Sequence, residues 1–404
     1  MKFNFKLVKC DFCNRKIDPL KWELHKHKDR MINGVSQGIF STSYDYKKNK
    51  LKPNMKFNSM WDFCELLPFD KKFAITLGEG GTPLYKAKKF GKLLGLKNVY
   101  IKDEGKNPIK SFKDRGISVV VTVAKLLGFK KIGIPSCGNA GISLSFYASK
   151  AGMESIIFLS RNISKNKLKL LNNEGTKIIS SDVNYPKFIY QKFFNFLKSK
   201  KDIYNAFAQV NPFYHQGIKT IAYEIFYQLN KAPEWILAPC ADGAILSAIW
   251  TGFKELEKLG LSKNIPHMIC VQITDGDPIN QGFNKKLFQL KSYETPNPPD
   301  SIAEGIIATC SFNYSKVIKA LKESKGKGIS VSDVEVKEAY IEYLSTEKKL
   351  VSEQNAEFEP TTATIFAALK KLSKMNGVDK NSDIVVIGTG GWPKIKNGRN
   401  WCSL

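Results

Sequence analysis

The sequence predicts an α/β protein with mainly parallel sheets. From residue 99 onward, short β-branched runs alternate with amphipathic helical stretches, the pattern of strand–helix–strand units. Four of the runs end in turns of small or glycine-containing sequence, where such folds place their ligands.

Residues 1–75 lack clean periodicity and carry many lysines, with a short apolar stretch at 60–68; they read as an N-terminal extension packed on the main body. Strands are expected over 99–102, 131–135, 155–159, 177–180, 235–238, 268–273 and 384–387, and helices over 115–127, 140–150, 165–173, 217–228, 245–259 and 361–372. Between residue 273 and a helix expected from about 333 the chain is loop-rich at first, with Pro296, Pro298 and Pro299 marking a surface excursion. No internal repeat or low-complexity tract interrupts this order.

The chain has 404 residues, 43% of them hydrophobic and 25% charged, which is globular usage and excludes a disordered polymer. Its 63 lysines and arginines against 37 acidic residues give a formal charge of +26, but only Arg15, Arg30, Arg115, Arg161 and Arg399 are arginine. Sequence-reading of nucleic acid favours the arginine fork, so no specific nucleic-acid partner is expected; the lysines attract polyanions loosely and anionic small molecules as well. No run of eighteen apolar residues occurs, and Lys6 and Lys9 break the start before a signal-peptide core forms, so no membrane partner is expected and the cytoplasm is the expected location.

Eight unevenly spaced cysteines do not make a disulfide framework in a chain of this length. Cys10-x-x-Cys13 with His25 and His27 is the exception as a zinc candidate, yet a finger separates its histidines by about three to five residues and here there is one. The expectation is therefore no metal site, or weak zinc binding at most.

Four loops follow strands. In Asn107–Gly116 the helix start offers Lys113 between the apolar Phe112 and the cationic Arg115, where an amine pKa can fall far enough for nucleophilic work. Ser136-Cys137-Gly138-Asn139-Ala140 lets backbone approach a ligand and suits a carboxylate at the helix start. Ala241-Asp242-Gly243-Ala244-Ile245 has the form of a phosphate cup. Gly388-Thr389-Gly390-Gly391 presents one hydroxyl from a backbone that can pass close to a flat group.

With Gly78–Leu84, Ser111-Phe112-Lys113-Asp114-Arg115-Gly116, Ser136-x-Gly138-Asn139, Asn211–Thr220, Ser301–Gly305, Glu359-Pro360 and Thr389-Gly390, the chain over about 60–395 resembles threonine synthase and its pyridoxal-phosphate-dependent relatives in the tryptophan synthase β family. The resemblance implies fold type II: two domains, each with a mainly parallel sheet flanked by helices, plus the N-terminal extension. It divides the chain into 1–75, a large cofactor-binding domain of 76–116 and 205–404, and a small substrate-closing domain of 117–204. It implies a homodimer acting on a small-molecule amino acid, with pyridoxal 5'-phosphate as cofactor.

By the same resemblance Lys113 corresponds to the lysine that carries the cofactor as an internal aldimine, with Phe112 as its packing neighbour. Asn139 corresponds to the residue on the ring hydroxyl oxygen, and the amides of 241–245 to the phosphate cup. Ser136, Cys137, Gly138 and Ala140 correspond to the loop on the substrate carboxylate. Thr389 corresponds to the hydroxyl facing the pyridine nitrogen, where a neutral partner leaves that nitrogen less fully protonated.

Two departures stand out. The cup keeps one glycine, and a carboxylate from Asp242 about 4 Å from the phosphate would be repelled by about 4 kcal/mol at an effective dielectric of about 20, so Asp242 must point away or pair with a lysine. Where the family clamps a substrate phosphate, this chain has Ala140, Tyr214 or His215, and Ile245; of that set only Ser136 and Asn211 remain. The implied activity is that of a lyase or transferase of threonine synthase type on an O-phospho or O-acyl amino acid. The alternatives are a β-elimination or β-replacement enzyme, similar to serine/threonine dehydratase, cysteate synthase or diaminopropionate synthase, and a polyanion-binding protein without catalysis.

Overall fold

Runs such as Trp235-Ile-Leu-Ala-Pro239 and Asp383-Ile-Val-Val-Ile-Gly388 are apolar on both faces, as strands are when helices cover both sides of a sheet. The computed structural model describes residues 3–27, 38–136, 138–160, 165–171, 174–181, 186–290, 292–294 and 300–391. In chain order its strands are β1 (Phe5–Cys10), β2 (Lys16–Ile17), β3 (Phe40–Tyr44), β4 (Leu84–Lys86), β5 (Asn98–Asp103), β6 (Lys131–Pro135), β7 (Glu154–Ser160), β8 (Thr176–Ser181), β9 (Ile203–Asn205), β10 (Trp235–Pro239), β11 (His267–Ile273), β12 (Lys327–Val331) and β13 (Asp383–Gly388).

The chain forms two compact units. The first comprises Met1–Pro53, Phe57–Gly80 and Lys113–Thr220; the second comprises Asn54–Lys56, Gly81–Phe112 and Ile221–Leu404.

In the first unit β8-β7-β6-β9 form a four-stranded parallel sheet. Helices Lys113–Leu126 and Asn139–Lys150 pack on each other, and Ser143 Oγ donates to Asp114 Oδ1 across the contact. Helix Tyr214–Ile218 also packs on the Lys113 helix, so closely that a Cβ at Gly217 would fall 1.9 Å from the Arg115 carbonyl oxygen. That approach ties residues up to 220 to this unit and accounts for a passage at Thr220/Ile221 rather than at 204/205. The N-terminal residues, aperiodic in sequence, form an antiparallel sheet β2-β1-β3. It packs in the same unit through Phe3, Phe5 and Phe213, and Tyr44 Oη donates to Gln216 Oε1 at 3.0 Å.

The second unit holds a six-stranded sheet, β12-β11-β10-β13-β5-β4, parallel except for β4. Val99, Ile101, Leu237, Val271, Ile384 and Val386 bury one face in a cluster with Tyr340, Tyr343 and Phe366 from helices Asp333–Thr346 and Pro360–Ser373. Helix Ala244–Lys258 packs against β10 and β11 as well. The stretch after residue 273 is more regular than its prolines suggest, with helices Pro278–Asn284 and Tyr314–Glu323 and the edge strand β12; Pro296, Pro298 and Pro299 lie outside the described residues. β12 is short and contains Gly328, where a Cβ would come within 2.4 Å of Asn280 Oδ1, so close packing against a helix dictates a residue that weakens the strand pattern.

Candidate active site

In a parallel sheet the ligand-binding loops lie at the carboxyl ends of strands. In the second unit β10, β13 and β5 are consecutive neighbours, in register at Leu237↔Val386 and Gly388↔Asp103, so the loops at 240–243, 389–391 and 104–112 leave the sheet on one side. The Phe112 amide donates to the Thr389 carbonyl at 3.1 Å, Gly391 donates to the Lys110 carbonyl at 3.0 Å, and Ser111 bridges Gly390. Phe112 is thereby buried and pinned to the Thr389 loop, and Lys113 follows it directly in the chain.

Thr389 is buried, and its hydroxyl lies 3.0 Å from Thr362 Oγ1 in the first turn of helix Pro360–Ser373. Thr362 Oγ1 also accepts from the Gly390 amide at 3.0 Å and lies 3.1 Å from the Gly390 carbonyl. Sequence reasoning missed Thr362, because nothing in its own neighbourhood marks it.

The 241–245 turn is held from three sides. Gln272 Nε2 donates to the Cys240 and Ala241 carbonyls at 3.2 and 3.4 Å, while its Oε1 accepts from the Ile279 and Asn280 amides. Ser311 Oγ donates to the Asp242 carbonyl at 2.6 Å. The Asp242 carboxylate accepts from the Phe312 amide at 2.6 Å and from Asn313 Nδ2, so it is turned toward 312–313. Gly243 has φ 84° with Val317 Cγ2 2.3 Å from where a Cβ would stand, which reserves the position for glycine. Helix Ala244–Lys258 then begins with no side-chain cap, and an α-helix leaves its first amide groups without internal acceptors. Ala241, Asp242, Gly243, Ala244 and Ile245 therefore fit a phosphate despite the acidic residue. Gln272, a polar residue inside an apolar parallel strand, was the available sign of this support.

In the first unit, β6 and β9 are parallel neighbours, so the Ser136 loop and the loop containing Asn211 also leave at one edge. Ser136 Oγ accepts from the Gly138 and Gly141 amides at 3.4 and 3.2 Å, which folds the turn into the helix opened by Asn139 and Ala140. Cys137 lies outside the described residues. Lys113 is half-buried as the first residue of its helix, and Asp114 beside it bonds to Ser143, one turn into the Asn139 helix. Asn211 is buried, with Nδ2 donating to the Asn205 carbonyl at 2.9 Å and Oδ1 accepting from Phe213 at 2.9 Å, so its own loop uses most of its amide. Tyr214 packs its ring against Gly116, where a Cβ would meet it at 2.5 Å.

One further group lies in the N-terminal segment of the first unit. Cys10, Cys13, His25 and His27 bring one ligand atom each to within 4.8 Å of one another. The spacing argument against this set presumes a helix. His25 has extended backbone, and on an extended chain residues two apart point to the same side, so a single intervening residue suffices.

The pyridoxal-phosphate dependent enzyme family model matches residues 75–390. The chain belongs to that family. Its cofactor is pyridoxal phosphate, and it is a lyase of the fold type II architecture. Threonine synthase of Methanocaldococcus jannaschii is 34% identical over 87% of this chain and 86% of its own length. Threonine synthase of Methanosarcina acetivorans is 32% identical over 90% and 88%. Among solved structures, maize serine racemase superposes with a TM-score of 0.64 at 18% identity, covering 77% of this chain and 88% of its own, a likeness of fold alone.

Proposed function

We propose that this family member is a threonine synthase-type lyase acting on an O-phospho or O-acyl amino acid. The observation that carries the reading is the match to threonine synthases along nearly the whole chain, supported by a cup whose one acidic residue is turned toward 312–313.

Lys113 Nζ would hold the cofactor, Asn139 would meet its ring oxygen, the amides of 241–245 its phosphate and Thr389 Oγ1 its pyridine nitrogen. When bound, pyridoxal phosphate withdraws electrons from the α-carbon of an attached amino acid and acidifies its proton. Lys113 Nζ would serve as the general base for that proton and as the acid that returns it. Phe112, the residue before Lys113, is itself held by its bond to the Thr389 carbonyl. Ser136 Oγ already accepts two amides, which leaves its hydrogen to donate to the substrate carboxylate beside Cys137, Gly138 and Ala140. Asn211 shapes the neighbouring loop and offers its remaining lone pair.

A second reading, a β-elimination or β-replacement enzyme, is favoured by Tyr214. Near where the family places a phosphate-clamping arginine, its ring is committed to packing on Gly116, and Ala140 and Ile245 add no charge. A cytoplasmic homodimer belongs to the same proposal; Cys64, Cys240 and Cys270 lie outside any disulfide, which suits a reducing compartment.

The deciding experiment compares kcat/KM for O-phosphohomoserine, O-phosphoserine, O-acetylserine, serine and threonine, with Lys113→Ala as control. Threonine formed from O-phosphohomoserine faster than any competing turnover, and lost in the variant, is the expected result. Turnover confined to the three-carbon substrates would replace this reading by the second.

A further inference from the structure

We propose that Cys10, Cys13, His25 and His27 form a closed, tetrahedral zinc site that fixes the N-terminal sheet. Cys10 Sγ lies 3.2 Å from His27 Nε2, Cys13 Sγ lies 3.4 Å from His25 Nε2, and the two Nε2 atoms are 3.2 Å apart. A tetrahedron with zinc bonds of about 2.3 Å to sulfur and about 2.0 Å to nitrogen has edges of about 3.3–3.8 Å, close to these separations.

Hydrogen bonding alone does not account for the arrangement. An imidazole nitrogen carries either one hydrogen or one lone pair, so it makes one good bond. Here each Nε2 has two close partners within the cluster, a sulfur and the other nitrogen. A cation at the centre meets both lone pairs and both sulfurs at once. Two thiolates and two neutral imidazoles balance a divalent charge, and four protein ligands leave no open position, which makes the site structural rather than catalytic.

The scaffold supports the ligands from separate segments. β1 ends at Cys10, whose carbonyl accepts from Asn14 and whose amide donates to the Arg15 carbonyl, closing a knuckle in which Asn14 takes φ 56°. Asp11 donates to the Ile39 carbonyl and Gly38 donates to the His25 carbonyl, so the start of β3 holds the cysteine and histidine segments together. A Cβ at Gly38 would sit 3.1 Å from His25 Cδ2 and 2.9 Å from the Phe40 ring, and glycine leaves room for the imidazole. Phe12 meets His27 edge to face at 5.4 Å.

The test uses the full-length holoenzyme, stripped with chelator under reductant, freed of chelator and then offered zinc or cobalt. About one zinc per chain should survive dialysis, and cobalt should give the intense visible bands of a tetrahedral thiolate site. Cys10→Ser with Cys13→Ser should abolish both. His25→Gln and His27→Gln should each weaken zinc by about tenfold or more and alter the cobalt spectrum. Retained pyridoxal phosphate absorbance in each variant shows that the rest of the chain is folded. Failure of the folded wild type to retain zinc overturns the proposal. So does unchanged affinity in the histidine variants, which would leave only adventitious metal on two thiols.

Discussion

Thr362 shows how a residue remote in sequence can govern one group of the site. Its hydroxyl lies between Thr389 Oγ1 and both polar atoms of Gly390, all buried. Thr362→Val keeps the shape but leaves the Gly390 amide without that acceptor, a cost of about 1–3 kcal/mol. It also frees the Thr389 hydroxyl to turn. The expected outcome is a shifted cofactor absorption band and slower α-proton exchange, about tenfold for each 1.4 kcal/mol lost from the transition state. Thr362→Ser should restore the band. A spectrum and an exchange rate matching wild type in the valine variant would show that Thr362 serves only packing.

At the scale of elements, the second unit is joined by an ion pair between β5 and helix Thr220–Leu229. Lys102 Nζ reaches Glu224 Oε2 and the Thr82 carbonyl at 2.7 Å and Gln228 Oε1 at 3.0 Å, which matches three ammonium hydrogens to three acceptors. Both charged side chains are fully buried. Lys102→Met should therefore cost about 3–5 kcal/mol, because it removes the cation paired with the buried Glu224 carboxylate. Urea unfolding measures it, and a loss below about 1 kcal/mol would show that water or a rearranged neighbour replaces the ammonium. The same contrast between local pattern and remote contact explains what could be read in advance. β5, β6, β7, β10, β11 and β13 were legible because strands covered on both faces are written as β-branched runs, and the edge strand β8 because of its Ile178-Ile179 pair. Lys113, Ser136, Asn139, Asp242 and Thr389 could be proposed because they follow such strands. β12 was hidden by Gly328, and Thr362, Gln272 and Asn313 act only through partners distant along the chain. The convergence of Cys10, Cys13, His25 and His27 was not legible, because a helical spacing rule does not describe extended chain.

The stability of the whole molecule should carry the signature of carboxyl groups pulled in opposite directions. Asp62 and Glu335 sit below the ordinary carboxylate range. Burial opposes this in both, but Lys71 with the Asn58 and Ser59 amides, and Lys371 with Ser332, outweigh it. Their contribution is lost only as pH falls through those lowered values. Asp103 behaves in reverse: burial pushes it up to about 6, with Glu104 adding to the rise and Lys106, the Gly105 amide and Lys110 opposing it. Between an unfolded value of 3.8 and about 6 the folded chain binds more protons than the unfolded one, so stability falls as pH rises through that window and is level above it. At about 1.36 kcal/mol per pH unit the fall is about 3 kcal/mol before screening of the Lys106 contact at 3.8 Å is allowed for. Asp103→Asn retains an oxygen for the Gly105 amide, which Asp103 Oδ1 accepts at 3.0 Å, and cannot ionise. The variant should match wild type near pH 4, exceed it by about 1–3 kcal/mol at pH 7, and lose the slope between. Chemical unfolding at pH 4, 5, 6 and 7 measures the difference. Parallel profiles for the two proteins would mean that Asp103 stays ionised in the folded chain, its charge carried by Lys106 and Lys110.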